Sequence, residues 1–408
     1  MELKRLESKT RRLLRSASRT IVLALGVVCA LRVLPWEWAA MALPALSPYV
    51  AICATVGGRA LRIAAIPGLA VAVVVLFRPR WFCRVVCPVG LLIEQAGRLR
   101  PKARPRVARV PPIGQWVVLL TLAGAIVGYP LLLWLDPLAL FNSLFTGWRQ
   151  PLEWTRLIVG IGLPLILLLG LLWPFLWCRR LCPLGATQDL LALLRRLLRR
   201  RRQEADPLAP RRANPLPRRA VLAVAAGAGA SLATVRWGHA ATGPLRPPGA
   251  VGEERFTGLC VRCGNCVRAC PEKIIQPDLG EHGVAGLLAP VVTFDYAYCR
   301  PDCTRCMQVC PSGAIARLSL AEKEMAPIGV ARVEMSLCLL SQQIECGACI
   351  GPCAYGAVTI DFNEDDYSST VRVDPELCTG CGACEVVCMT TPRRAIRVHP
   401  IDRARGTA

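Results

Sequence analysis

The cysteines in the last third of this chain constrain its fold more than any other feature. Sixteen of the 22 cysteines in 408 residues form four groups of four. Three closely spaced thiolates can hold three corners of an iron-sulfur cubane, and a fourth, slightly further along, reaches the neighbouring cluster of a pair. The spacing therefore predicts four [4Fe-4S] clusters. The predicted metal ligands are Cys260, Cys263, Cys266, Cys270, Cys299, Cys303, Cys306, Cys310, Cys338, Cys346, Cys349, Cys353, Cys378, Cys381, Cys384 and Cys388.

The four groups follow the bacterial ferredoxin spacing to different degrees. The first and fourth groups read C-x2-C-x2-C-x3-C. Met389 replaces the proline that usually follows the last cysteine of the fourth group. The first spacing is x3 in the second group and x7, after Cys338, in the third, which indicates insertions in a ligand loop. Structural zinc is disfavoured because three cysteines within seven residues wrap a tetrahedral ion poorly. A disulfide framework is disfavoured because such short spacings rarely allow disulfide geometry.

A second set of cysteines lies in two near-identical segments. Residues 81–90 read W-F-C-x3-C-P-V-G, and residues 177–185 read W-C-x3-C-P-L-G, which indicates an internal duplication. Four thiolates from the two copies could hold one more cluster, or each pair could act as a redox-active dithiol. A third interpretation is four buried cysteines at helix ends. The residues concerned are Cys83, Cys87, Cys178 and Cys182.

Composition favours a membrane protein over a nucleic-acid-binding protein. The mean hydropathy is +0.41, 53% of residues are hydrophobic, and the formal net charge is +22. Residues 1–244 carry 34 basic and 9 acidic side chains, whereas residues 245–408 carry 16 and 19. Basic residues beside apolar segments follow the positive-inside rule of membrane proteins. We therefore predict a membrane and no nucleic acid among the partners.

The apolar segments predict an all-α transmembrane helix bundle of four spans. The spans are expected at Ile21–Leu31, Ile63–Phe77, Ile113–Leu135 and Leu157–Cys178. Trp38–Gly58 is interpreted as a re-entrant or interfacial segment, because an even number of spans must precede the basic loop after residue 78. At about 1.5 Å per residue, the third and fourth spans exceed the roughly 30 Å hydrocarbon core.

A fifth segment and a smaller domain follow the predicted bundle. Arg218 and Arg219 precede a mildly apolar stretch, which is typical either of a twin-arginine export signal or of an ordinary fifth span. Both readings place the C-terminal domain outside the cytoplasm. Strands predicted at Val291–Phe294 and Val371–Val373 indicate an α+β ferredoxin-like domain whose clusters supply much of its stability. The predicted domains are residues 1–205, a linker at 206–252, and residues 253–408.

These motifs resemble two known families. Residues 1–205, with two C-x3-C-P motifs, resemble NapH-type (MauN-like) membrane ferredoxin proteins, and the remainder resembles NapG/MauM-type 4Fe-4S polyferredoxins. The resemblance implies a fusion of the two that passes electrons from the quinol pool to a periplasmic oxidoreductase or cytochrome, in a nitrate reductase-like or methylamine dehydrogenase-linked system. It also implies that the sixteen cysteines are cluster ligands, and that Cys83, Cys87, Cys178 and Cys182 are candidate ligands at the membrane face.

The expected role is that of an electron-transfer component, a candidate quinol dehydrogenase subunit rather than a stand-alone catalyst, because the motifs leave no open coordination position. We expect a multi-pass protein of the bacterial inner membrane with a periplasmic ferredoxin domain. The alternatives are a redox maturation or assembly factor for a periplasmic metalloenzyme and a membrane redox sensor. By the usual symmetry of such domains, the first cysteine group should share ligands with the fourth, and the second with the third.

Overall fold

The computed structural model describes residues 2–31, 39–99, 110–147, 158–203, 218–237, 243–364 and 367–401. The chain divides into two compact units. The first unit contains residues 1–238, 257–265 and 311–314, and the second contains residues 239–256, 266–310 and 315–408. The domain boundaries predicted at residues 205 and 252 stay predictions.

Helices build the described part of residues 2–237 in the first unit. Several of them begin with a proline, as at Pro48, Pro88, Pro137 and Pro183, where the missing backbone N–H costs no hydrogen bond. The helices are α1 (Glu2–Ala30), α2 (Ala39–Ala45), α3 (Pro48–Gly58), α4 (Ile66–Phe77), α5 (Trp81–Val85), α6 (Pro88–Arg98), α7 (Ile113–Val127), α8 (Pro137–Ser143), α9 (Gly162–Leu172), α10 (Pro183–Gln203) and α11 (Arg218–Trp237).

The predicted four-span bundle is wrong. Among the described residues, the segment Ala220–Trp237 of α11 is the one helical stretch that is long and apolar enough to cross a membrane. A second crossing is reached only if α2 and α3, which meet at 91°, count as one broken span. A multi-pass placement is therefore not supported. The 18 residues of Ala220–Trp237 extend about 27 Å.

Glycine and proline end the predicted spans early. Helix α7 stops at Val127 because Gly128 takes a left-handed conformation with φ 102°, and Pro130 follows. The apolar helix Ile158–Leu172 stops before Pro174, and Phe175 has a positive φ of 63°. Each apolar helix is then 15 residues, or about 22 Å, which is shorter than a hydrocarbon core of roughly 30 Å.

Buried polar groups and small residues fix the helix packing of this unit. The Asp136 carboxylate caps α8 by accepting from the backbone N–H groups of Leu138 and Ala139, both at 3.0 Å. It also accepts a 2.6 Å hydrogen bond from the Ser47 hydroxyl, which joins α8 to the start of α3. A Cβ on Gly227 would lie 2.6 Å from the Leu120 carbonyl oxygen, so that glycine allows α11 to approach α7 closely.

Short helices and two-stranded sheets build residues 243–401. Strand β1 pairs with β2, β3 with β6 and β4 with β5, all antiparallel. The two predicted strands are present as β2 and β5, with shifted ends. The elements are α12 (Glu253–Leu259), α13 (Asn265–Ala269), β1 (Ile275–Pro277), β2 (Pro290–Val292), α14 (Arg305–Gln308), α15 (Leu320–Glu324), β3 (Val330–Val333), β4 (Val358–Asn363), β5 (Ser368–Val373), α16 (Ala383–Val387) and β6 (Ile396–His399).

The end of the predicted linker packs into the second unit. Arg246 is 2% exposed, forms a bidentate ion pair with Glu253 and donates to the Pro290 carbonyl oxygen at 2.7 Å. Its guanidinium also lies 4.9 Å from the centre of the Phe256 ring. A buried arginine needs this many partners to offset its desolvation. Arg246 therefore ties the chain that enters the unit to its sheet.

Candidate functional site

Two cavities in the second unit are lined by four cysteines each. One combines Cys299, Cys303 and Cys306 with Cys270, the last cysteine of the first group. The other combines three cysteines of the fourth group, Cys378, Cys381 and Cys384, with Cys353, the last cysteine of the third. Three thiols from one group plus a distal thiol from another is the ligand arrangement of paired ferredoxin clusters.

The third and fourth groups exchange their last cysteines. Burial raises the pKa of Cys349, and the neighbouring thiols of Cys346, Cys338 and Cys388 raise it further. Cys388 ends the fourth group, so it lies near the third group while Cys353 lies near the fourth.

The expected pairing of the first group with the fourth, and of the second with the third, is therefore wrong. The hairpin formed by β1 and β2 connects the first group to the second, and the hairpin formed by β4 and β5 connects the third to the fourth. An antiparallel hairpin returns the chain to its starting point. The first group consequently becomes the partner of the second, and the third becomes the partner of the fourth.

We call the two cysteine-lined cavities the cradles of the second and fourth groups. These two cradles adjoin each other. The backbone N–H of Cys299 donates to the carbonyl oxygen of Cys381 at 2.9 Å. Tyr355 lines the cavity of the fourth cysteine group. Burial raises the pKa of Tyr355, and the thiols of Cys381 and Cys299 raise it further. The cysteines of the second group therefore lie beside those of the fourth group, and the cysteines of the fourth group lie beside those of the third.

The residues of these cradles fit an iron-sulfur cluster. Burial raises the pKa of Cys299 to about 11 and that of Cys384 to about 12, so these thiols ionise readily only when a metal displaces their protons. The backbone N–H of Ala331 donates to the Cys378 sulfur, and that of Ile315 to the Cys310 sulfur, both at 3.4 Å. Such N–H to sulfur bonds stabilise ligated thiolates and tune cluster potentials.

The two C-x3-C-P segments fold alike in the first unit. Cys87 precedes Pro88, and its sulfur accepts from the backbone N–H of Gly90 at 3.4 Å, at the start of α6. Cys182 precedes Pro183, and its sulfur accepts from the backbone N–H of Gly185 at 3.5 Å, at the start of α10. Both motifs therefore place a sulfur at a helix N-terminus, where the helix dipole favours a thiolate.

The glycine of each motif packs on the first cysteine of the same motif. A Cβ on Gly185 would lie 3.1 Å from the Cys178 carbonyl oxygen, and one on Gly90 would lie 3.4 Å from the Cys83 carbonyl oxygen. Cys178 belongs to a turn of π-helix at Trp177–Leu181, and Cys83 belongs to α5. The repeated C-x3-C-P-x-G spacing is thus explained by backbone packing.

The structure brings the four thiols of these motifs together. Cys87 and Cys182 belong to one buried core cluster, and Cys178 packs against it. Burial raises the pKa of Cys83 to about 11 and that of Cys178 to about 12. Burial also raises the pKa of Cys182, and the thiols of Cys83, Cys178 and Cys87 add to that effect, so the four groups are within electrostatic reach of one another.

Polar side chains that sequence reasoning missed surround this site. The Gln188 side-chain amide, fully buried, donates to the Cys83 sulfur at 2.9 Å. Arg19 donates to Glu94 at 2.6 Å and to the Cys83 carbonyl oxygen at 3.4 Å. Arg80 forms a bidentate pair with Asp189 at 2.7 and 2.5 Å. The adjacent Gln188 and Asp189 are the available sequence signal, because they interrupt an otherwise apolar start of α10.

The remaining predicted site residues are Arg218 and Arg219. They form the first positions of α11, and their role as an export signal stays a prediction.

Among the described residues, no three Cys, His, Asp or Glu side chains are close enough together to hold a single metal ion.

The exchange of ligands predicts how substitutions of Cys270 and Cys299 combine. Because both line one cavity, Cys270→Ser and Cys299→Ser should each remove the same cluster, and the double variant should lose about four irons per chain, no more than either single variant. Iron and acid-labile sulfide on anaerobically purified protein provide the measurement. A double variant that loses about eight irons would place Cys270 on a different cluster.

Comparisons with known proteins identify the class of protein. The family model described as 4Fe-4S dicluster domain matches residues 259–314 and 344–391, which contain every cysteine of the four C-terminal groups except Cys338. The model described as 4Fe-4S binding domain matches residues 61–106 and 155–201, which contain the two C-x3-C-P motifs. The protein is therefore an iron-sulfur electron-transfer protein whose cysteine motifs bind multiple 4Fe-4S clusters.

Individual relatives define the family. The chain is 34% identical over 170 residues to the ferredoxin-type protein NapG of Escherichia coli (strain K12), covering 40% of this chain and 73% of that protein. It is 35% identical over 186 residues to the methylamine utilization ferredoxin-type protein MauM of Methylobacillus flagellatus, covering 44% and 78%. No solved structure matches significantly. The chain belongs to the NapG/MauM family of ferredoxin-type proteins, and the predicted fusion with a NapH-type protein is not shown by these matches.

Proposed function

We propose that the chain passes single electrons from the quinol pool to a periplasmic oxidoreductase or cytochrome, through four C-terminal clusters and one more at the C-x3-C-P motifs. The observation that carries this proposal is the linkage of the cysteine cradles. The third and fourth groups exchange ligands, and the second is hydrogen-bonded to the fourth through Cys299 and Cys381. Adjoining cradles suit short steps from one 4Fe-4S centre to the next, and one-electron exchange is the chemistry that such centres supply.

A fifth cluster at Cys83, Cys87, Cys178 and Cys182 is supported by burial. Redox-active dithiols and sensor cysteines need access to their partners, whereas Cys87 and Cys182 are 5% and 7% exposed. Arg19 and Arg80 beside the site favour negative charge at Cys83, although each is also ion-paired, with Glu94 and with Asp189. The dithiol and sensor alternatives are therefore less well supported than a cluster.

The placement of the chain is also a proposal. Residues 1–205 would be the NapH-type, quinol-facing part, and the segment Ala220–Trp237 would attach the chain to the inner membrane. Leu222, Leu232 and Trp237 of this helix are more than half exposed, which suits contact with lipid. The ferredoxin domain would lie in the periplasm, as the twin-arginine-like pair Arg218–Arg219 suggests.

Reduction by a quinol analogue tests the proposed entry of electrons. With a soluble quinol as donor, the wild-type clusters should become reduced, and the Cys83→Ser/Cys178→Ser variant should lose this reaction while dithionite still reduces its C-terminal clusters. Stopped-flow absorbance of the clusters provides the measurement. Cys53→Ser is the matched control, because Cys53 is a buried cysteine of the same unit outside both motifs. Unchanged quinol reduction in the double variant would contradict the proposed path.

A further inference from the structure

We propose that Lys323 is a positioning residue that holds the widened ligand loop of the second cysteine group and raises the reduction potential of the cluster at that site. The site is the cavity lined by Cys270, Cys299, Cys303 and Cys306. This inference rests on the proposed four-cluster function, and it deepens that function by assigning one buried charge to one cluster.

The contacts of Lys323 all go to the widened loop. Its Nζ donates to the carbonyl oxygen of Arg300, to that of Pro301 at 3.2 Å and to that of Cys303 at 2.8 Å. This loop connects the first two ligands of the group, where the spacing is x3 instead of x2. An ammonium has three donors, and here all three are used on one loop. Lys323 therefore fixes the segment that the extra residue lengthens.

Lys323 projects from a well-anchored helix. Ser319 caps α15 by accepting from the backbone N–H of Glu322 at 3.3 Å, and the Glu322 carboxylate accepts in return from the backbone N–H of Ser319 at 2.8 Å. A capping box of this kind satisfies two N–H groups that would otherwise be unpaired at a helix start. The ammonium consequently reaches the loop from a fixed origin.

The charge of Lys323 is buried, and among the described residues no carboxylate lies within ion-pair distance of it. The residue is 5% exposed. Its positive charge also acts on the Asp302 carboxylate, but that group is exposed to solvent and forms its ion pair with Arg300. Carbonyl oxygens satisfy the donors but do not neutralise the charge, and an uncompensated buried charge is costly. A cubane with four thiolate ligands is a net anion. The cluster itself is thus the counter-charge that makes a buried lysine tolerable at this position.

The electrostatics of the neighbouring thiols agree with this assignment. Burial raises the pKa of Cys299 to about 11, and the positive charge of Lys323 is the first influence that acts in the opposite direction. Burial also raises the pKa of Cys306, and Lys323 again opposes the rise. The ammonium is therefore near enough to favour negative charge at this site. Since reduction adds negative charge, it favours the reduced state as well.

The test is a potentiometric titration, followed by electron paramagnetic resonance, of Lys323→Met beside the wild type. One cluster transition should move to lower potential while the others stay in place. At a fixed ambient potential the ratio of reduced to oxidised cluster should fall roughly tenfold, which corresponds to about 59 mV for one electron.

Two further variants separate the charge of Lys323 from its shape. Lys273→Met is the matched control, because Lys273 lies three residues after Cys270 but is exposed to solvent, and it should shift no transition. Lys323→Arg keeps the positive charge and should keep both the iron content and the potential. If Lys323→Met loses about four irons, Lys323→Arg must retain them for the inference to stand.

Iron and sulfide counts on the same samples separate the possible failures. A wild type with far fewer than about sixteen irons would contradict the four-cluster proposal itself. Two results would overturn the role of Lys323 alone. One is a Lys323→Met variant with full iron content and unshifted transitions. The other is a Lys323→Arg variant that is altered as much as Lys323→Met.

Discussion

Removing iron from the purified protein is expected to unfold its second unit. Sixteen cysteines lie within residues 260–388, whereas few large side chains of the second unit, such as Phe256 and Met307, are fully buried. A core of this size cannot offset the chain entropy by itself, so metal binding supplies much of the folding free energy, on the order of several kcal/mol per site. Chelation under reducing conditions should abolish amide-exchange protection in β1–β6.

The helices of the first unit provide the internal control for that experiment. Their core contains large side chains that are at most 2% exposed, among them Phe82, Phe141, Leu138 and Leu163. Apolar burial of this kind contributes about 1.5–3 kcal/mol per side chain without any metal. Amide protection in α7 and α8 should survive chelation. Equal protection of β1–β6 before and after removal of iron would contradict a cluster-dependent fold.

Serine at Cys83, Cys87, Cys178 and Cys182 is expected to lower the iron content from about twenty to about sixteen per chain. The reason is that the four buried thiols come together at the starts of α6 and α10, where helix dipoles and nearby arginines favour anionic ligands. Iron and acid-labile sulfide on anaerobically prepared protein provide the measurement. The C-terminal clusters should keep their spectra.

Cys53→Ser controls for the loss of a buried cysteine in the same unit, and it should hold as much iron as the wild type. If the wild type holds about sixteen irons and the quadruple variant loses none, the C-x3-C-P motifs perform thiol chemistry. The relay would then be confined to the four C-terminal groups.

The cysteine motifs were readable from sequence because ligand spacing is a local property. Three thiolates of one cluster come from a single short loop, so C-x2-C-x2-C reports the site without knowledge of the fold. The choice of the fourth ligand is not local. It depends on the hairpins of β1–β2 and β4–β5, which make the first group a partner of the second and the third a partner of the fourth. The symmetry argument instead paired the first group with the fourth and the second with the third.

The four-span bundle was mispredicted because hydropathy measures composition and not helix continuity. Residues 113–135 are uncharged throughout, yet Gly128 ends α7 after 15 residues and Pro130 prevents its continuation. The fifth segment is only mildly apolar, yet its helix continues to Trp237 and is the one described stretch that is long and apolar enough to span a membrane by itself.

The polar residues around the sites were invisible to motif reasoning. Lys323 lies 17 residues beyond Cys306, and Gln188 lies 105 residues from Cys83, so only the fold brings each near its thiol. Their chemistry depends on burial, which removes the competing water and strengthens each interaction. A lysine among acidic neighbours, as in residues 320–324, is read from sequence as a solvated charge.

An anaerobic reductive titration of the intact chain, with iron and sulfide determined on the same sample, tests the central claim most directly. A relay of four C-terminal clusters and one at the C-x3-C-P motifs predicts uptake of about five electrons and about twenty irons per chain, with one-electron steps throughout. Uptake far below four electrons, or two-electron steps at the C-x3-C-P motifs without iron, would contradict it.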